Sequence, residues 1–394
     1  MNLEEIQTVT MMFCSIVKIG KFFMRLVYAI LKLFKTQKGK ILFLSRQSNT
    51  LSLDFRMLKD EILRQAEIEG KEPQNDNKKD IKIIEICNYM VDGKSGVAKF
   101  GMDVLKSMYH LATSEVVVLD AYWPAVSMLK HKKSLTVIQM WHAIGKIKKS
   151  GYQTLDKESG RSRKIAELMD MHKNYDIIIA GGKAFNKFYC LSFNTTEDKL
   201  VNIGLPRIDY LLQTEEDNKK KILEKYPEFK EKTVVLYAPT FRRNIELKWE
   251  PLLDGFDFEN AVLVIKGHPN QAISCEREGV YMCPEFKSVE MLAACDYLIT
   301  DYSAIALEGA VLNKKTYYFL YDYDEYTEKN GINLNPFDSM PGCAFRDGGE
   351  LIAHLQSGAY DQGVLDHYRE MYLPEHLGTS TEKLASLVLS KLTK

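Results

Sequence analysis

Short apolar runs alternate with amphipathic stretches along almost the whole chain. Residues 40–45 (KILFLS) read as a buried strand and 54–66 as an amphipathic helix. Further strands follow at 81–87, 116–120, 135–140 and 177–180, with a helix at 97–112 between the first two. A charged helical stretch at 215–232 marks a break. After it, strands recur at 234–237, 262–265, 297–299 and 316–320. Strands alternating with helices predict an α/β fold with parallel, doubly wound sheets. Two such sets predict two Rossmann-like domains, 39–214 and 215–394, with the last helix free to cross back to the first.

Residues 6–34 differ in kind. They are mostly apolar, but Lys18, Lys21, Arg25 and Lys32 align on one helical face, and Ile16, Phe23, Val27, Ile30 and Phe34 on the other. The recurring charges leave no clean apolar run of about 20 residues that would span a bilayer. Glu4 and Glu5 do not suit a signal-peptide start, and no small-residue cleavage site follows. The pattern predicts an amphipathic helix, within residues 1–38, lying on the anionic cytoplasmic face of a membrane. Docking on the protein's own core or on a second subunit, as in a homo-oligomer, is the alternative.

Composition narrows the field. Lys plus Arg (53) equals Asp plus Glu (53), so net charge offers nucleic acid no general attraction. Seven dispersed cysteines without metal-type spacing read as reduced thiols, and neither a metal nor a cofactor is expected.

In doubly wound sheets ligands bind beyond the carboxyl ends of strands, so the residues that follow each strand carry the chemistry. After 135–140 comes Trp141-His142-Ala143-Ile144-Gly145-Lys146, then Lys148 and Lys149. This suits a base beside a phosphate pocket or, equally, a structural histidine packed by Trp141 next to solvated lysines. In the second half, 234–237 ends in APTFRR with Arg242, and 262–265 in KGHP with Lys266 and His268. The strand at 297–299 ends in Thr300, Asp301, Tyr302 and Ser303 and passes straight into a helix carrying Glu308. Free N–H groups and hydroxyls there make an anion site, and the carboxylate could accept from a ribose. An ordinary N-cap at Ser303 reads the same stretch without a ligand. Thr379 and Ser380 open the last helix and offer either another phosphate contact or a plain cap.

Taken in order, WHAIGKIKKSG, GLPRIDYL, YAPTFRR, KGHP, ITDYSAIALEGAVLNKK, YDYDEY and GTS resemble the CDP-glycerol glycerophosphotransferase family from residue 139 to the end of the chain. The resemblance implies a GT-B-like arrangement with the nucleotide on the C-terminal domain, and a peripheral enzyme of the cytoplasmic membrane face. It implies transfer of glycerol phosphate or ribitol phosphate from a CDP-polyol to a hydroxyl of a lipid-linked, teichoic acid-type acceptor, with release of CMP. His142 matches the family's catalytic histidine as general base, and His268 would stabilise or protonate the diphosphate side. Arg242, Lys266, Thr300, Ser303, Thr379 and Ser380 would hold phosphate oxygens, and Glu308 the ribose. Asp301 would shape the turn of this substrate site, while Gly145 and Lys146, with Lys148 and Lys149, would meet the anionic acceptor. Ala143 and Gly267 depart from commoner family residues and leave the polyol open. A GT-B glycosyltransferase using a nucleotide sugar is the alternative on the same fold. A non-enzymatic membrane scaffold is the alternative without chemistry.

Overall fold

The computed structural model describes residues 3–69, 80–89, 94–242, 245–267 and 273–393. Two six-stranded sheets organise it. The first holds β1 (Lys40–Ser45), β2 (Lys82–Cys87), β3 (Val116–Leu119), β4 (Thr136–Gln139), β5 (Ile177–Ala180) and β6 (Leu200–Asn202). Their spatial order is β2-β1-β3-β4-β5-β6. The second holds β7 (Thr233–Tyr237), β8 (Ala261–Ile265), β9 (Val280–Tyr281), β10 (Tyr297–Thr300), β11 (Lys315–Phe319) and β12 (Ala344–Phe345), in the order β12-β11-β10-β7-β8-β9. Neighbouring strands are parallel throughout. Central strands such as KILFLS and VVVL are buried along their whole length, as they must be where helices cover both faces. This is the GT-B-like pair of Rossmann-like sheets.

Strand order reverses once in each sheet. The chain leaves β1 for β2 and returns on the other side to β3; it leaves β7 for β8 and β9 and returns to β10. Loops that diverge at such a point open a crevice at the carboxyl ends of the flanking strands. One crevice therefore lies beyond β1 and β3, the other beyond β7 and β10.

The two halves are joined by more than a linker. A single helix, Pro206–Lys225, runs through the region around residue 215. The last helix, Ser380–Ser390, crosses back to the first sheet: Leu384, Val388 and Leu389 pack with Ile41 and Phe43 of β1 and with Phe55 of α2 (Leu53–Glu69).

The N-terminal helix is α1 (Leu3–Leu31). Of the four basic residues expected on one face, Lys21 and Lys32 turn to the protein, while Lys18 and Arg25 stay exposed. Lys21 pairs with Asp170 and donates to the Leu168 carbonyl at 2.8 Å, and Lys32 donates to the Lys130 carbonyl at 3.2 Å. Tyr28, buried beside them, meets His131 Nδ1 at 2.8 Å. Helix-end carbonyls and one carboxylate supply partners that solvent would otherwise supply, and this orients the helix. Its apolar face is left outward, with Ile19, Phe22, Phe23, Leu26, Ile30 and Leu33 between 53% and 82% exposed. Beside it packs α3 (Lys94–Thr113), where Met102 and Leu105 are exposed as well. Among the described residues no helix is long and apolar enough to cross a membrane.

Candidate active site

A cavity of about 610 Å³ lies between the carboxyl ends of the two sheets. One wall is the segment after β4, from Trp141 to Gly151; the other combines the turns after β7 and β10 with Tyr326 to Asn330. The walls are tied together behind the cavity. Asn333 N–H donates to the Ile147 carbonyl at 2.7 Å, and Lys149 N–H to the Gly331 carbonyl at 3.1 Å. The Asn333 amide donates to the carbonyls of Lys146 (3.0 Å) and Lys148 (3.1 Å) and accepts from Gln153 at 2.6 Å. Gly145 lets the halves meet: a Cβ there would stand 2.5 Å from Phe185 and 2.7 Å from Leu307 of the facing domain. Its role is close approach of the domains.

His142 stands at the end of β4, over the first crevice. Its Nδ1 lies 2.9 Å from the Asp120 carbonyl, which can only accept, so the ring proton sits on Nδ1 and Nε2 keeps its lone pair. The Gln47 amide lies 3.3 Å from the same Nδ1. Burial pushes the imidazole's pKa down to about 4; the Asp120 carbonyl opposes this, and the charges of Lys146, Arg207 and Lys148 add to it. The ring packs on Trp141 at 4.2 Å between centroids, tilted by 33°. Trp141 has a φ of 63°, a left-handed conformation costing a non-glycine residue about 1–2 kcal/mol. Its N–H donates to Gln139 Oε1 at 2.8 Å, one contact that offsets the strain.

Lys146 does not extend into open solvent. It is 2% exposed, with Nζ 3.4 Å from the Trp141 ring centroid and 4.2 Å from that of Phe193, and it donates to Ser150 Oγ at 3.1 Å. Burial pushes its pKa well below the ordinary lysine value. Lys148, by contrast, is exposed to the cleft. Asp120 is a residue that sequence reasoning missed. Its carboxyl accepts from Ser45 Oγ at 2.6 Å and from Arg46 N–H at 3.2 Å, and burial raises its pKa to about 6. The signal was available in VVVLD, a lone acid closing an apolar strand.

On the facing wall Arg242 is a buried hub. Its Nε donates to Asp322 Oδ2 at 2.7 Å, and its Nη1 to Asp301 Oδ2 and the Thr240 carbonyl, both at 2.8 Å. The Asp301 carboxylate also takes the Thr240 N–H at 2.9 Å. Tyr302 stacks on Tyr326 at 3.9 Å and donates to Asp322. The two carboxylates hold the guanidinium charged, raising its pKa further. Arg242 thus builds the wall between two acids, where sequence reasoning had it holding phosphate. Thr240, whose buried hydroxyl has no hydrogen-bond partner among the described residues, lines the cavity with Ser303.

Other expected residues are engaged elsewhere. Thr300 donates to the Ala238 carbonyl at 2.8 Å, and Lys266 to the carbonyls of Met282 (3.0 Å) and Cys283 (2.9 Å). Glu308, 5% exposed, accepts from Arg207 Nη1 at 3.1 Å, while Arg207 Nε reaches Asp54 of α2 at 2.9 Å. This trio bridges the domains. At the last helix the N–H groups of Ser380 and Thr381 are taken by Asp209 at 3.1 and 2.7 Å, and the hydroxyls of Thr379 and Ser380 are buried without partners among the described residues. Neither residue lines the cavity. His268 lies outside the described residues. The structure therefore gathers His142, Gly145, Lys146, Arg242 and Ser303 around one cavity, and sets Thr300, Glu308, Thr379, Ser380 and Lys266 off it.

A family model described as CDP-glycerol:poly(glycerophosphate) glycerophosphotransferase matches residues 26–390. The teichoic acid glycerol-phosphate primase of Bacillus subtilis is 30% identical over 295 residues, 72% of this chain and 76% of that protein. The teichoic acid ribitol-phosphate primase of Bacillus spizizenii is 26% identical over 379 residues, 92% of this chain and 93% of its own. Against the teichoic acid poly(ribitol-phosphate) polymerase of the same organism, 26% identical, the chain spans only 60% of the relative's length. Among solved structures, the wall teichoic acid polymerase TagF, in a histidine variant soaked with CDPG, superposes with a TM-score of 0.68 at 16% identity, over 97% of this chain and 98% of that one.

Proposed function

This chain belongs to the CDP-glycerol:poly(glycerophosphate) glycerophosphotransferase family, and on that premise we propose that it transfers glycerol phosphate or ribitol phosphate from a CDP-polyol to a hydroxyl of a lipid-linked acceptor, releasing CMP, in teichoic acid or related cell-wall polymer synthesis. The observation that carries the reading is His142, a neutral imidazole on the cleft wall with its proton held on Nδ1 and no hydrogen bond at Nε2 among the described residues. Nε2 takes the proton of the acceptor hydroxyl as that oxygen attacks the polyol-side phosphorus. The bond from this phosphorus to the bridging oxygen breaks, CMP leaves with the electron pair, and a phosphodiester forms. An anionic donor raises the imidazole's pKa from about 4 toward the working range. Lys148, which lines the cleft and whose pKa burial lowers while Asp301 opposes this, is the cation for the diphosphate, with the Thr240 and Ser303 hydroxyls beside it.

The outward apolar face of α1, near whose C-terminal end Lys130 and Lys133 are exposed, supports attachment at the cytoplasmic membrane face, where a lipid-linked acceptor resides. The helix inserts its apolar side and leaves its cations to the protein and the rim.

The test is CMP release from CDP-glycerol and, separately, CDP-ribitol in the presence of a lipid-linked disaccharide. Acceptor-dependent release with one donor supports the reading and names the polyol. No release with either, alongside turnover of a nucleotide sugar, keeps the fold and overturns the function.

A further inference from the structure

We propose that Lys146 is a positioning residue for this transfer: its ammonium, caged beneath Trp141, holds the Trp141–His142 turn in the conformation that presents His142 Nε2 to the cleft. The inference rests on the transferase reading and gives one of its residues a different task from substrate contact.

A lysine buried beside a cleft, with only hydroxyl and aromatic partners, is an expensive choice where methionine would fill the same space. Here burial works against the charge, pushing the lysine's pKa well below its ordinary value, and the aromatic faces work for it. The Trp141 ring lies at 3.4 Å from Nζ, Phe193 at 4.2 Å and Tyr189 at 5.4 Å, the arrangement in which ring faces attract a cation. Among the described residues its hydrogen bond goes to Ser150 Oγ, itself 2.7 Å from Ser192 Oγ. Trp141 touches both this cation, at 3.4 Å from its ring centroid, and the His142 ring, at 4.2 Å between centroids. Its left-handed backbone must be held by its surroundings, and Lys146 is the charged member of those surroundings. When the indole slips, the imidazole packed on it slips too.

Lys146 also belongs to the field at His142. Facing that ring are Lys146 and Lys148 from its own segment, Arg207 from the start of the helix Pro206–Lys225, the Asp120 carbonyl after β3 and the Gln47 amide after β1. The nearby carboxylates are occupied: Asp120 by Ser45 and Arg46, and Asp54 by Arg207. His172, the other imidazole of the cage, meets the Tyr175 hydroxyl at 3.0 Å. Removing the Lys146 charge thus takes one cation from a ring that no free acid offsets.

The experiment follows the His142 ring protons by NMR through a pH titration, assigned by the resonance missing from H142Q, in wild type, K146M and W141F. In K146M the His142 midpoint should move up by about half a pH unit or more. Its kcat should fall about tenfold or more, with donor KM within twofold. W141F should shift the same resonance, and the double variant should be no worse than the stronger single one. An unchanged midpoint in K146M overturns the proposal, and so does a raised donor KM at unchanged kcat, which would mark Lys146 as a donor contact. Should K146M not fold, an unchanged midpoint in W141F overturns it equally. The titration needs no donor, so its outcome is separate from whether the wild type releases CMP.

Discussion

Polar side chains at the strand ends differ in how far the protein itself satisfies them. His142 is bonded at Nδ1 but shows no bond at Nε2 among the described residues, and as the proposed base its His142→Ala variant should lose at least about 100-fold in turnover at unchanged melting temperature, the lower range for a general base. Its pKa near 4, against an ordinary 6.5, sets the pH behaviour. The free enzyme keeps the imidazole neutral well below pH 6.5, so kcat/KM should hold through that range and fall only toward pH 4, as a pH-rate profile would read. The same depression makes the unfolded chain bind the proton first. Stability from this group is therefore complete above about pH 6.5 and declines as pH falls toward 4. Arg242 is satisfied within the protein. Asp322→Asn leaves a buried guanidinium short of one carboxylate and should cost about 3–5 kcal/mol, measured by denaturant unfolding. Residue types at strand ends were legible in the sequence, but their partners were not. Arg242 and Asp322 lie 80 residues apart, and only the pairing of β7, β10 and β11 tells an arginine aimed at phosphate from one aimed at two acids.

Among elements, the long buried strands were readable because a run such as KILFLS has no other way to be buried. Two-residue strands such as β9 and β12 carry no period at all, and sequence reasoning left them out. The periodicity of α1 announced two faces without saying which one docks, because that depends on Asp170 and the carbonyls it meets. The clamp around Asn333 was equally silent, because the carbonyls that its backbone and side chain meet are groups every residue carries. Gly145 gives it a test. Gly145→Leu would drive a side chain between Phe185 and Leu307. It should wedge the domains apart and lower kcat more than tenfold, with increased amide exchange at 147–149 and 331–334; unchanged exchange would show that the interface yields elsewhere.

For the whole molecule, two crevices at two switch points face one another, and the helix Pro206–Lys225 and the returning last helix hold them in register. The membrane reading belongs here too. Replacing Phe22, Phe23 and Leu26 by serine should abolish co-flotation with phosphatidylglycerol vesicles while leaving CMP release to a soluble acceptor analogue intact. Retained flotation, or dissociation of a dimer on the same substitution, would assign that face to another element or to a second copy. The backbone bonds between 147–149 and 331–334 have a further consequence. Because His142, the proposed base, stands a few residues from a seam shared by both domains, gaping of the cleft would loosen the ground under the histidine. Product escape and loss of the attacking geometry are then one event, and a half-open molecule carrying donor is a poor catalyst of its hydrolysis by water.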